Sequence, residues 1–365
     1  MRILLWYWGR RGAGGQMTLC LAEALRRQPG VRVALAISAQ AELRAELEAL
    51  ALPTDAVPTY ASAAGFLAGF ARLPGLGRRL RRQAQAFRAE AVVSVMTHLW
   101  TPLLAPGLKR AGLRYIPFVH DALPHPGDPA WLWDWRLNRE LDAAAAAIAL
   151  SAPVAEALRA RRPGLAVHRM ALGAHLPAAL LHAPARAASG AAPRFLLFGR
   201  LRAYKGLDLL RDAWPLLLAR CPGATLRVVG EGDPEALAPG LGALPGVTLE
   251  PRWLAEAEIP ALLAAADALV LPYREASQSG VVALAQALGV PAVVTPVGGL
   301  AEQVRHGVDG LVAAAATPAA LADAMAALAE PAEHARLAQG AAESGRALSD
   351  WDAQARALLA ICARP

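Results

Sequence analysis

The chain has 365 residues, is 55% hydrophobic with much of that share alanine, and carries a formal net charge of +7. That length gives about two domains, each large enough for its own core. No run of 18 strongly apolar residues free of charges and turn formers occurs, which excludes a membrane-spanning helix. Residues 1–8 read as a first strand rather than a signal peptide. Cys20, Cys221 and Cys362 are odd in number and lack metal spacing, which fits reduced thiols in a cytosol.

Apolar strand runs alternate with helical patterns from end to end, the mark of parallel sheets covered by helices. In the first half the strand runs are 3–8, 31–37, 91–95, 115–119, 146–150 and 166–170, with helices expected at 16–27 and 43–50. A Pro- and Ala-rich stretch, 177–193, reads as a linker. A second series follows at 194–198, 225–229, 247–249, 268–271, 292–295 and 310–312. The expected architecture is α/β: two Rossmann-like domains, 1–176 and 194–345, with parallel sheets facing across a cleft and ligands at the carboxyl ends of the strands. Charge is uneven: residues 1–175 hold 22 Lys/Arg against 12 Asp/Glu, and residues 176–365 hold 15 against 18. The densest basic block is 72–88, where Arg72, Arg78, Arg79, Arg81, Arg82 and Arg88 interleave with Leu73, Leu76, Leu80 and Phe87. Such an amphipathic stretch suits an anionic membrane surface; it lacks the aromatics that stack nucleic-acid bases.

Polar and Gly-rich residues gather where strands end. After the first strand, Gly14 and Gly15 lie in a Gly-rich turn that lets backbone approach an oxygen-rich ligand. His120 and Asp121 follow the strand 115–119, and His125 lies just beyond; an imidazole at a strand end can enter the cleft, with Asp121 to orient it or bind hydroxyls. Gly199 ends the strand 194–198, Arg200 and Lys205 follow, and Gly206 opens an amphipathic helix. Two cations beside a helix N-terminus form a place for a dianion, each charge-assisted contact being worth roughly 1.5–3 kcal/mol. Gly230 and Glu231 end the strand 225–229. The segment Glu275-Ala-Ser-Gln-Ser-Gly-Val281 runs into a further helix. Ser277 or Ser279 fits its N-cap, and the amides of Ser279, Gly280 and Val281 are expected to face the same anion.

Taken in order these stations resemble the retaining nucleotide-sugar glycosyltransferases of the GT-B fold, family 4. The likeness includes Gly14-Gly15, His120, Gly-Arg-(x4)-Lys-Gly at 199–206, Val-Val-Gly-Glu-Gly at 228–232, Ala-Leu-Gly-Val-Pro at 287–291 and Val-Gly-Gly-Leu-Ala-Glu at 297–302. The ending 346–365 resembles the family's terminal helix, which crosses back to the first domain. The resemblance implies a donor diphosphate held by Arg200, Lys205, Gly14, Gly15 and the segment Ser277, Gln278, Ser279, Gly280 and Val281. Gly230, Glu231, Arg252 and Glu275 would contact nucleoside and sugar, and Asp121 the acceptor side. Arg200 and Lys205 would stabilise the departing diphosphate, with His120 beside the acceptor hydroxyl. The family commonly carries two glutamates eight positions apart. Counted from Glu275 the second falls on Ala283, and counted back from Gly289–Pro291 the pair falls on Ala276 and Leu284. The second glutamate is missing either way, and the first survives only if Glu275 stands in. The chain resembles the variant with Ser-Gln-Ser-Gly at that helix start.

These readings imply a cytoplasmic glycosyltransferase, peripheral at the membrane, that moves a sugar from a nucleoside-diphosphate sugar to a glycan or lipid-linked acceptor in polysaccharide or glycolipid synthesis. The expectation includes no cofactor, no metal and no nucleic-acid partner. A nucleotide-sugar epimerase and a non-catalytic binding protein of the same fold are the alternatives.

Overall fold

Leucine-, valine- and alanine-rich runs of three to seven residues pair in parallel into two sheets. The computed structural model describes residues 1–124, 129–176 and 192–364. His125 and all but the last two residues of the expected linker lie outside them. The chain divides into two compact units, Met1–His175 with Asp350–Pro365, and Leu176–Ser349.

The first unit is built on β1 (Arg2–Tyr7), β2 (Arg32–Ser38), β3 (Thr54–Val57), β4 (Ala91–Ser94), β5 (Tyr115–Val119), β6 (Ala146–Ala149) and β7 (Ala166–Arg169), in the order β3-β2-β1-β4-β5-β6-β7. Leu5 aligns with Leu35 on one side and Val93 on the other. Successive side chains of a strand leave opposite faces, so β1 serves two cores. Ile3 and Leu5 pack with Leu21 and Leu25 of the helix Ala13–Arg27, while Leu4 and Trp6 pack with Leu76 and Leu80 of the helix Leu73–Phe87. The terminal helix Trp351–Cys362 belongs to this unit. Its N-cap Asp350 accepts from the Ala353 amide at 2.8 Å, Ala355, Leu358 and Ile361 are buried, and Arg27 pairs with Asp352 at 3.0 Å.

The second unit holds β8 (Arg194–Phe198), β9 (Thr225–Val229), β10 (Val247–Glu250), β11 (Ala268–Leu271), β12 (Ala292–Val294) and β13 (Gly310–Val312), in the order β10-β9-β8-β11-β12-β13. The helices Leu207–Leu218 and Pro318–Ala329 cover one face; Ile259–Ala264 and Gly280–Ala287 cover the other. In each unit the first strand is flanked by strands that the chain reaches in opposite directions. That is the switch point at which α/β sheets place their ligands, beyond the carboxyl ends.

Strand β3 had no expectation in the sequence. It is a four-residue edge strand between Pro53 and Pro58 whose one buried residue is Val57, so no apolar run announces it. The helix expected at 16–27 starts at Ala13, because Gly14 and Gly15 read as a turn yet sit inside its first turn. The boundary expected at 345 falls at Ser349 and Asp350, since the helix Pro331–Leu348 keeps Leu337, Ala338 and Ala341 in the second unit's packing.

Candidate functional site

Four loops at the carboxyl edge of the second sheet lock together through backbone. Leu201 donates its amide to the Glu231 carbonyl at 2.8 Å, Arg274 to Tyr204 at 2.7 Å, and Gly299 to Ala276 at 3.0 Å. Glycine is required where these loops meet. A Cβ on Gly206, which has φ +69°, would lie 1.9 Å from the Pro272 carbonyl oxygen, and one on Gly230 would lie 1.8 Å from that of Gly199. The loops after β8, β9, β11 and β12 thus form one rigid platform.

Lys205 ends a short helical turn, Ala203–Lys205, on this platform. Its ammonium is buried, donates to the Tyr273 hydroxyl, and lies 3.9 Å from the Tyr273 ring centroid and 5.4 Å from that of Tyr204. Burial pushes its pKa down to about 8, with Tyr204 opposing the shift and Arg200 adding to it. Arg200 itself is exposed. The two cations therefore differ: one guanidinium reaches solvent, and one ammonium is held on an aromatic floor. Tyr273 is itself buried, and its carbonyl accepts from the Thr295 hydroxyl at 2.5 Å.

The helix Gly280–Ala287 points its N-terminus at the same edge. Ser279 is its N-cap residue, yet its hydroxyl, buried beside the Tyr273 phenol, caps none of the helix amides. The first amides of an α-helix have no partner inside the helix, so Gly280 and Val281 keep donors for a ligand. The Ser279 amide does not, contrary to expectation: Gln303 accepts it at 2.7 Å and returns a bond to the Ser279 carbonyl at 3.2 Å. Ser277 and Gln278 are half-buried beside it, and Glu275 is exposed. Ala283 and Leu284, the two positions expected for the family's second glutamate, are both buried.

A second expectation is also corrected. The helix after Gly206, Leu207–Leu218, does not offer its N-terminus to an anion, because Asp208 in its first turn already supplies one. The Asp208 carboxylate bonds backbone amides at that end and the Arg274 guanidinium at 2.5 Å, which hold its pKa below the usual range against the effect of burial. Glu231 is exposed, with its carbonyl committed to Leu201, and the Gly230 amide bonds the Glu250 carbonyl at 3.0 Å. Arg252 forms ion pairs with Glu250 at 3.3 Å and Glu258 at 2.9 Å, so its charge is already balanced.

In the first unit Gly14 and Gly15 are buried against Tyr7: a Cβ on Gly14 would lie 2.8 Å from that ring and 3.0 Å from the Met96 sulfur. The Gly14 carbonyl accepts from Thr18 Oγ1 at 2.7 Å. Close packing therefore accounts for Gly14, while Gly15 has looser neighbours; the exposed residues of the turn are Arg11 and Ala13, on either side of the N-cap Gly12. His120 follows β5, half-buried, and its Nε2 donates to the Val95 carbonyl at 3.0 Å. Burial lowers its pKa, against that bond and Asp121. That shift favours the neutral ring, with the Nε2 proton held on the Val95 carbonyl.

The helix Leu73–Phe87 buries Leu73, Leu76, Leu80 and Ala84 and exposes Arg78, Arg79 and Arg82, while Arg81 is half-buried beside Gly77 and Gly107. Arg78, Arg79 and Arg82 line an open depression of about 630 Å³ together with Asp55 and Gln83. Asp55 binds the Arg79 guanidinium through both oxygens. Arg72 donates to the Thr59 carbonyl at 2.9 Å.

Sequence reasoning missed Tyr273, Asp208 and Gln303. Tyr273 lies in a short connector after β11 with no periodic signal, and Gln303 reaches Ser279 from 24 residues downstream.

Two parallel α/β units, each with Gly-rich and polar loops at a carboxyl-edge switch point, define the GT-B class. HepE from Anabaena, solved in complex with UDP, superposes with a TM-score of 0.73 at 21% identity over 99% of this chain and 100% of that one. Sucrose-phosphate synthase from Thermosynechococcus elongatus gives 0.73 at 19% identity over 99% and 98%. The family models match end to end: a glycosyl transferase 4-like domain at residues 12–171, and glycosyl transferases group 1 at residues 192–331. The chain belongs to this GT-B glycosyltransferase family. D-inositol 3-phosphate glycosyltransferases from Xylanimonas cellulosilytica and Frankia alni are 35% and 39% identical over 182 and 180 residues, which is 47% and 45% of this chain. The matched stretches span 42% and 43% of those relatives. Among the described residues no helix is long and apolar enough to cross a membrane.

Proposed function

We propose that the protein is a retaining hexosyltransferase that moves a sugar from a nucleoside-diphosphate sugar to a glycan or lipid-linked acceptor. The observation that carries this reading is the buried Lys205 ammonium, fixed on Tyr273 beside the exposed Arg200 and the uncapped N-terminus of the helix Gly280–Ala287. Preorganised positive charge aimed at a departing diphosphate stabilises the transition state at no cost of reorganisation. Arg200 and Lys205 take the phosphate charge, and the Gly280 and Val281 amides bond its oxygens. No protein nucleophile is needed: the acceptor attacks the sugar on the face from which the diphosphate leaves, and that phosphate takes the acceptor proton. His120, neutral and anchored on Val95, orients the acceptor hydroxyl. The donor class is supported by the structural neighbour HepE, which was solved with UDP and with UDP-glucose.

The neutralising groups are side chains and amides, so the reaction proceeds without a metal. Polysaccharide or glycolipid synthesis at the cytoplasmic membrane face is the setting that the outward arginines of the helix Leu73–Phe87 favour. A thermal-shift panel of UDP, GDP and their sugars, followed by a transfer assay with and without EDTA, tests the reading. Stabilisation by a nucleotide and EDTA-insensitive transfer with retained anomeric configuration are expected. Inverted product, or sugar epimerised without acceptor, overturns it.

A further inference from the structure

The first unit contains buried donors that the transfer mechanism above does not use. His98 lies in the loop after β4 and is 7% exposed. The Trp100 amide donates to its Nδ1 at 3.2 Å, so the ring proton sits on Nε2, and that N–H has no partner among the described residues. The indole N–H of Trp8, just beyond β1, is also buried without one, and the two rings meet edge to face at 6.4 Å. A buried donor left unmet costs about 1–3 kcal/mol. Both groups can only donate, so what satisfies them is an acceptor atom.

Positive charge and apolar surface lie on the same elements. The Arg10 guanidinium is 4.9 Å from the centre of the Tyr60 ring, and that ring is 5.4 Å from His98. Arg136, on the helix Ala130–Ala143, joins Arg10 in opposing protonation of His98, although burial is the larger cause of its pKa of about 4. The carboxyl of Glu140, one turn along that helix, is occupied by the hydroxyls of Thr97 and Tyr115. Leu99 stands exposed between His98 and Trp100. Leu67 and Phe70 are exposed on the segment whose Phe66 stacks on Trp100, and Trp131 and Trp135 are exposed on the helix that bears Arg136.

We propose that this edge of the first unit binds the phosphate head of an amphiphilic acceptor: the His98 and Trp8 N–H groups bond its oxygens, Arg10 and Arg136 balance its charge, and the exposed leucines and aromatics receive its apolar chain. A neutral glycan would satisfy the two donors but carries no charge for the guanidiniums to balance and no aliphatic chain to cover the exposed leucines. The inference rests on the transferase reading for the role of the bound molecule, and binding can be read separately.

Tryptophan fluorescence of the full chain is titrated with dodecyl phosphate, dodecyl maltoside and inorganic phosphate, alongside a UDP thermal shift. Dodecyl phosphate is expected to bind about tenfold or more tightly than the other two. Arg10→Gln and Arg136→Gln should each weaken it about fivefold or more, Arg10→Lys should restore most of the loss, and the UDP shift should persist in all. Equal binding of dodecyl phosphate and maltoside, equal binding of inorganic phosphate, or wild-type affinity in both glutamine variants would overturn the proposal. Intact dodecyl phosphate binding with no UDP shift in the wild type would support this site and count against the transferase reading instead.

Discussion

The ammonium of Lys205 rests on Tyr273, donating to its hydroxyl while lying 3.9 Å from the ring centroid. Both side chains are buried, so the hydroxyl is the acceptor that holds the charge in place. Tyr273→Phe keeps the ring and removes that acceptor. It should cost about 1–3 kcal/mol of stability and lower kcat by about tenfold or more through a misplaced ammonium. Chemical denaturation and steady-state kinetics check this; unchanged values for both would show that Tyr273 does not position Lys205.

The Lys205 pKa gives opposite trends for activity and stability. Below about 8 the group is charged in the folded state, the form that the proposed diphosphate clamp requires. Activity measured as kcat/KM should fall as pH rises through about 8, and kcat should fall at a higher pH because bound anion favours the ammonium. Stability should do the reverse. The unfolded side chain keeps its proton up to its ordinary pKa, so between about 8 and 10.5 the unfolded state binds more protons and stability rises with pH. Lys205→Met should remove both dependences, which pH-rate profiles and pH-dependent melting would reveal.

Gly206 carries a backbone constraint rather than chemistry. In Gly206→Ala the new Cβ would meet the Pro272 carbonyl oxygen at 1.9 Å and impose a left-handed φ on a residue with a side chain. A loss of several kcal/mol is expected, seen as a melting temperature lowered by roughly 5 °C or more. Alanine at Gly12, which has open space around it, should cost less. Equal effects would contradict the platform geometry.

In the first unit the buried Glu140 carboxyl has its pKa raised to about 7, chiefly by burial and against the bonds from Tyr115 and Thr97. Between its unfolded value near 4.5 and about 7 the native state binds more protons, so this group's contribution to stability is present below that window and is lost as pH rises through it. Glu140→Gln should flatten the fall, measured as unfolding free energy from pH 4.5 to 7.5. A wild type with no decline across the window attributable to this residue would contradict the assignment.

Much of the fold was legible because buried parallel strands read as short apolar runs. Tyr115–Val119, Arg194–Phe198, Thr225–Val229, Ala268–Leu271 and Gly310–Val312 match the sequence reading residue for residue. Strand β3 was not legible, since three of its four residues are only partly buried at an edge between prolines. Arg200, Lys205 and the helix beginning at Gly280 were visible as residue types in order. Their wiring was not. Asp208 cancels one helix end, Gln303 takes the Ser279 amide, and Tyr273 receives Lys205 across 68 residues. Each of these is a long-range or side-chain contact without periodicity, and only the packed loops reveal it. The two glycines at 14 and 15 were read as a ligand approach; the side chains of Tyr7 and Met96 already crowd Gly14, whereas Gly15 has looser neighbours, Leu43 and Tyr7.

Calorimetric titration of UDP into the wild type, Arg200→Ala and Lys205→Met at pH 7 probes the charge arrangement most directly. Each variant should bind at least about tenfold more weakly, with melting behaviour that shows the fold retained. Wild-type affinity in both folded variants would mean that these two cations do not hold the diphosphate.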